Sequence, residues 1–278
     1  MALFFHHSTI PKSSIQDGVD EQSLLDKGRV PDIKVKVARI SLSAGSSWSI
    51  LVASKEISWF QVLSGRITIK NGEKTSDLDV HHVALLPPNT NTVIQSSAGA
   101  ALLYATVPDY RHIDPECFPN ESADIRILDW SKEPVLQSEH DARKRIYLVT
   151  PTLSGTKAIK GEMIIYPPGT EAANHHHEGA AHFMYILAGK GTCYANEQPF
   201  EVNEGDVVYY LDSERHYLRS DSMTEMRFVE FFVPGKYKTV WAPNASVCAW
   251  LPTGKNILGN EAARHIQAHS SAAPTSDI

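Results

Sequence analysis

The sequence predicts an all-β protein made of two copies of one unit. Three observations carry this. Apolar and β-branched residues fall in short alternating segments, turn signals separate those segments, and the pattern of the first half returns in the second. A long amphipathic helical period is missing.

The elements follow in chain order. "IKVKVARISL" (Ile33–Leu42), "SWFQVLSGRITIKNG" (Ser58–Gly72), "HHVALLPPN" (His81–Asn89) and "AALLYATV" (Ala100–Val107) read as strands of the first unit. "KGEMIIYPPG" (Lys160–Gly169), "FMYILAGKGTCYANE" (Phe183–Glu197), "DVVYYLDSE" (Asp206–Glu214) and "MRFVEFFVPG" (Met226–Gly235) read as strands of the second. Turns are marked at Ser64-Gly65, Asn71-Gly72, Pro87-Pro88, Pro167-Pro168-Gly169, Gly189-Lys190-Gly191 and Glu204-Gly205-Asp206. This is a sandwich or barrel pattern. Ser58–Glu73 aligns with His182–Glu197, and the segment from His81 aligns with that from Gly205. Two units of roughly 110–130 residues each account for a 278-residue chain. The expected division is a first unit over residues 1–115, a Pro- and acid-rich linker over 116–140, a second unit over 141–255, and a disordered tail over 256–278.

Bulk properties narrow the function. A hydrophobic fraction of 42%, a charged fraction of 21% and a net charge of −6 describe a folded, soluble chain without a basic face, so nucleic acid is not an expected partner. No window approaches the length of a membrane span, and the N-terminus lacks a basic start. A cytoplasmic location is expected. The triplets Asn120-Glu121-Ser122 and Asn244-Ala245-Ser246 fit the glycosylation pattern, but no secretory signal accompanies them. Three scattered cysteines, Cys117, Cys193 and Cys248, build neither a disulfide framework nor a Cys-x-x-Cys clip.

Chemistry concentrates in "GTEAANHHHEGAAHFMYILAGKG" (Gly169–Gly191). On a strand, residues two apart share a face, so His175 and His177 point together and His176 points away. His182 opens the next strand, and His216 approaches from a later one. Imidazoles so placed can converge on one metal ion. Glu178, one past His177, points outward. His6, His7, His140, His265 and His269 are scattered and expected at the surface.

The pattern resembles the cupin superfamily, and the repeat makes the chain look like a bicupin over Lys34 to Gly235. The first cupin motif is Gly, five residues, His-x-His, three or four residues, Glu, six residues, Gly. Gly169, His175, His177 and Gly189 fit it, with His182 where the Glu belongs. Gly205, Asp206 and His216 fit the second motif, with Leu211 and Ser213 replacing its Pro and Gly. The resemblance implies two tandem jelly-roll barrels, a metal held by His175, His177, His182 and His216, and a homodimer. The first barrel aligns Leu51, Ala53, Ser58 and Thr92 with those histidines, so no metal is expected there.

Four neutral imidazoles leave the full charge of a divalent cation, which favours an anionic chelating ligand such as an enolate, carboxylate or phenolate. Fe(II) is the first expectation for the metal; Mn(II), Ni(II) and Zn(II) are the alternatives. Met184, Ile186, Leu218 and Phe228 are expected to line the pocket, and Glu230 and Tyr209 to act in catalysis. The leading expectation is an oxygenase cleaving a C–C bond of a small metabolite. The competing one is a non-redox isomerase, decarboxylase, lyase or aminohydrolase acting on a small organic acid. A sensor or storage protein is the third.

Overall fold

A computed structural model describes residues 1–117 and 124–270. The chain forms two compact units: His7–Trp130, and Met1–His6 together with the chain from Ser131 onward. Among the described residues no helix is long and apolar enough to cross a membrane.

The first unit pairs a seven-stranded and a four-stranded antiparallel sheet. Glu56–Gly65 and Ala100–Pro108 lie at the centre of the larger one. The alternation read from the sequence places Ile40, Phe60, Val62 and Leu102 in its core, and Ile50, Ile69 and Ile94 meet them from the smaller sheet.

The second unit repeats this plan. Its nine-stranded sheet runs Leu3–His6, Asp206–Tyr210, Ala181–Ala188, Met226–Val233, Lys160–Tyr166, Lys144–Val149, Leu136–Ser138, Ala249–Pro252 and His269–Ser270. The facing sheet runs Gln198–Asn203, Lys190–Ala195, His216–Ser220, His175–Glu178 and Lys238–Trp241. Two antiparallel sheets enclosing one core are the jelly-roll plan, so the molecule is all-β with two such barrels. Gly65 and Gly189 hold the same place in the two copies. Both have positive φ, +78° and +80°, and a Cβ would lie 2.3 Å from the Gly99 carbonyl oxygen in one and 2.9 Å from the Met226 Cα in the other.

The unit boundaries differ from those expected. Leu3–His6 adds an edge strand to the second unit by pairing with Asp206–Tyr210, although it opens the chain. A sequence reading by proximity along the chain has no means to see such a long-range pairing. The linker expected over 116–140 falls partly on residues 118–123, outside the described residues, as does the Asn120 triplet. Its remainder is structured: Arg126–Asp129 pairs with His82–Leu86, and Leu136–Ser138 joins the second unit's large sheet. The expected tail behaves similarly as far as residue 270. Ile266 and His269 are buried, Arg264 Nε lies 2.6 Å from Glu133 Oε2, and His269–Ser270 pairs with Ala249–Trp250. His269 is therefore not a surface residue; its Nε2 is 2.7 Å from the Tyr147 hydroxyl. Residues 271–278 lie outside the described residues. The three cysteines are buried, and none forms a disulfide among the described residues.

Candidate metal centre

The site lies between the two sheets of the second unit. The smaller sheet supplies His175, His177 and His216. His175 pairs directly with His216 across the ladder, and His177 pairs with Thr239. The larger sheet supplies His182 and Glu230. His182 stands opposite Tyr210 and Phe232, and Glu230 opposite Met184 and Glu162. Period-two alternation turns all of these inward, and turns His176 away to lie 3.5 Å from Glu178.

The rings crowd together. Centroid separations are 4.5 Å for His175–His216, 4.6 Å for His182–His216, 5.0 Å for His177–His182 and 5.1 Å for His177–His216. One donor atom each from His177, His182, His216 and Glu230 lies within 4.8 Å of all the others. This set differs from the expected four histidines: Glu230 enters it and His175 does not, although His175 still lines the cavity. A carboxyl group thus stands beside the histidines from a strand nearly fifty residues later in the chain, where the first motif has no Glu. Sequence spacing within one motif could not reveal that proximity.

The outer nitrogens orient the rings. His175 Nδ1 lies 2.9 Å from the Ala173 carbonyl oxygen and His216 Nδ1 2.8 Å from that of Glu214. A carbonyl only accepts, so each Nδ1 carries the proton and donates it, leaving Nε2 with a lone pair. His177 Nδ1 is 3.2 Å from the Thr239 hydroxyl. His216 Nε2 and both nitrogens of His182 are buried without a hydrogen-bond partner among the described residues. His182 Nε2 approaches Glu230 Oε1 to 3.2 Å in a geometry that makes no hydrogen bond. Buried, unpartnered imidazole nitrogens aimed at one point are costly unless something binds them. A divalent transition metal is the group that this donor set fits.

Electrostatics favour the same use. Burial holds His177, His182 and His216 well below the usual imidazole range, and lowers His175 to about 4. All four are neutral at pH 7, the form that binds metals. Burial, and then the charge of Glu162, pushes Glu230 up to about 8. In the absence of a cation it keeps its proton at neutral pH.

A cavity of about 60 Å³ adjoins the group. Met184, Leu218 and Phe228 line it as expected. Ile186 does not; it packs in the apolar core with Val208 and Cys193. Tyr209, opposite Phe183 in the ladder, does not line the cavity. Tyr210 packs against the histidines, its ring 4.3 Å from His216 and 5.0 Å from His182, and Tyr237 lies 4.8 Å from His177. The sequence reading missed Arg143, Arg145, Glu162, Tyr237, Trp241 and Trp250, which also line the cavity. The available signal was the basic run Arg143-Lys144-Arg145 directly before the apolar stretch Ile146–Val149.

Residues 162–232 match the cupin domain model. Compared by sequence with curated proteins, the chain matches none. Among solved structures it is similar to oxalate decarboxylase from Bacillus subtilis. The structure of that enzyme at pH 4.6 is 15% identical, with a TM-score of 0.68, covering 86% of this chain and 78% of the other. A point variant gives 14% identity and a TM-score of 0.69, with the same coverage. A third structure, 15% identical with a TM-score of 0.68 and the same coverage, comes from a study of the Mn(II) centres of that enzyme. At such identities the likeness is one of fold. The second barrel carries the cupin domain, and the whole chain has the two-barrel fold of a bicupin.

Proposed function

We propose that the chain is a metal-dependent enzyme that moves a proton on a small chelating organic acid without net redox change, as a decarboxylase, lyase, isomerase or aminohydrolase does. The observation that carries this is Glu230. It is a buried carboxyl group on the cavity wall, its Oε1 3.2 Å from His182 Nε2, and it shares a donor group with three neutral imidazoles. A carboxyl group tuned towards neutrality and facing a cavity suits general acid–base work. The fold shared with oxalate decarboxylase supports a non-redox reading over the oxygenase expected first.

His177, His182 and His216 would hold a divalent cation, with His175 or Glu230 completing the set. Such an ion supplies Lewis-acid stabilisation to oxygens that gain negative charge. Glu230 then has two uses. As a ligand it lowers the site's charge; released, its Oε1 holds or delivers a proton within reach of the bound acid. Thr239 fixes the His177 ring through Nδ1, and Phe232, 4.9 Å from both His177 and His182 by ring centroids, keeps water from their faces. The homodimer expected from the resemblance belongs to this reading, and sedimentation of the purified protein tests it.

Substrate screening under nitrogen and under air, with Mn(II), Ni(II), Zn(II) or Fe(II) loaded in turn, tests the reaction class. Anaerobic turnover with more than one metal is expected. Turnover that requires dioxygen and Fe(II) would restore the oxygenase reading and discard this one.

A further inference from the structure

The cavity does not end at the histidines. Its wall continues to Arg143 and Arg145, with Tyr166, Trp250 and Cys248 around them. Arg143 directly precedes the strand Lys144–Val149 that carries Arg145, and both side chains line the cavity. Both are held, and neither is used up. Arg143 Nε donates to Asp141 at 2.7 Å and Nη1 to the Tyr166 hydroxyl at 3.2 Å, while Nη2 reaches only the Cys248 sulfur at 3.9 Å. Arg145 Nη2 lies 3.1 Å from Glu162 Oε1 and Nη1 donates to Tyr147 at 3.3 Å. Its guanidinium carbon sits 4.1 Å from the centre of the Trp250 ring, and its Nε is buried with no hydrogen-bond partner among the described residues. A guanidinium has five N–H donors and does not shed its charge in a protein.

The charges around this end do not balance. Arg143, Arg145 and Lys160 are three cations; Asp141 and Glu162, which pair with them, are two carboxylates. The difference is one positive charge; Glu230 on the same wall offsets it when ionised, and a divalent cation at the neighbouring histidines then leaves an excess of two. A cavity with excess positive charge and unspent planar donors is built for an anion that accepts side-on, such as a carboxylate. Trp241, Trp250 and Phe228 line the same cavity, and their apolar faces suit a short hydrocarbon spacer.

We infer that the arginine end of the cavity binds a second anionic group, so that the substrate is a short dicarboxylate whose other end chelates the metal. This rests on the metal-dependent reading above and adds the substrate class. It assigns Arg143 and Arg145 as binding residues for the distal carboxylate.

The test uses two probes of the same chain length. 2-Oxoglutarate and 2-oxopentanoate present the same chelating 2-oxo acid, and differ in a distal carboxylate against a methyl group. Each is titrated into Mn(II)-loaded protein by calorimetry and by intrinsic fluorescence, to which Trp241 and Trp250 contribute. The wild type is expected to prefer 2-oxoglutarate by about tenfold or more. R143Q is expected to reduce that preference to about twofold, with metal stoichiometry and 2-oxopentanoate affinity kept, and R143K to recover part of it. Equal affinities in the wild type, no binding of either acid, or an unchanged preference in R143Q overturns the inference. If R143Q does not fold by circular dichroism, R145Q replaces it with the same expectation. If the wild type takes up no Mn(II), the metal reading fails by itself, and the preference measured on metal-free protein still decides the arginine site.

Discussion

The two barrels share a strand plan and differ in what fills them. A constant offset of 124 positions carries His82–Leu86 onto Asp206–Tyr210 and the turn glycine Gly65 onto Gly189. The same offset carries Ser58 onto His182 and Trp48 onto Ala172. In the second barrel Ala172 lines the cavity; in the first, Trp48 is buried and packs edge-to-face on Tyr104, with centroids 5.0 Å apart. By ladder position Tyr104, opposite Phe60, stands where Glu230 stands opposite Met184. Ala38 likewise stands where Glu162 stands. One barrel has spent its interior on packing, and the other has kept space and charge there. Where His182 leaves both ring nitrogens without a hydrogen bond, Ser58 closes a 2.8 Å bond with Thr106. Leu51, in line with His175, is 76% exposed at the end of its strand. The lesson is that one fold tolerates both solutions, because the outer strands and turns set the architecture and the inward row sets the chemistry.

Substitutions can break this contrast or sharpen it. The largest effect is expected from H182A. It should remove a central donor and abolish stoichiometric uptake of a divalent metal, as elemental analysis of dialysed protein measures. Retained stoichiometry would mean that the ion, if any, binds elsewhere. E230Q should lower turnover by about 10² to 10⁴-fold with substrate affinity changed far less, whereas Y104F at the matching place in the first barrel should leave turnover unchanged. Steady-state kinetics of both variants decide it.

W48A attacks the packed barrel instead. Emptying a buried indole site should cost about 3 kcal/mol or more of stability, seen as a lower midpoint in denaturant, with metal content unaltered. A smaller change is expected from T239V, which removes the hydroxyl beside His177 Nδ1. Metal affinity should fall by about tenfold, read by competition with a chelator. The smallest is S58A, where loss of the bond to Thr106 should cost about 1 kcal/mol and leave the metal site untouched. If S58A altered metal binding, the division of labour between the barrels would be wrong.

Much of this was legible from residues alone. Alternation and turn chemistry are local properties, so strands such as Asp206–Tyr210 and Met226–Val233 could be placed from the sequence. The inward register of His177, His182 and His216 follows from the same period of two. The contribution of Glu230 to the donor group, the choice of Tyr210 over Tyr209 and the presence of Arg143 and Arg145 in the cavity were not legible. Each depends on which strand lies beside which, or on which face meets the cavity.

Residue order is enough to specify an all-β chain with two copies of one plan, and a cluster of imidazoles in the second copy. Period-two patterning and turn residues act within a few positions, so the linear order carries that information. Only the three-dimensional arrangement brings Glu230 within reach of His177, His182 and His216, adds Leu3–His6 to the second unit and puts two arginines on the cavity wall. Those facts arise from contacts between residues tens to hundreds of positions apart, which are fixed when the sheets pair and face each other across a shared core.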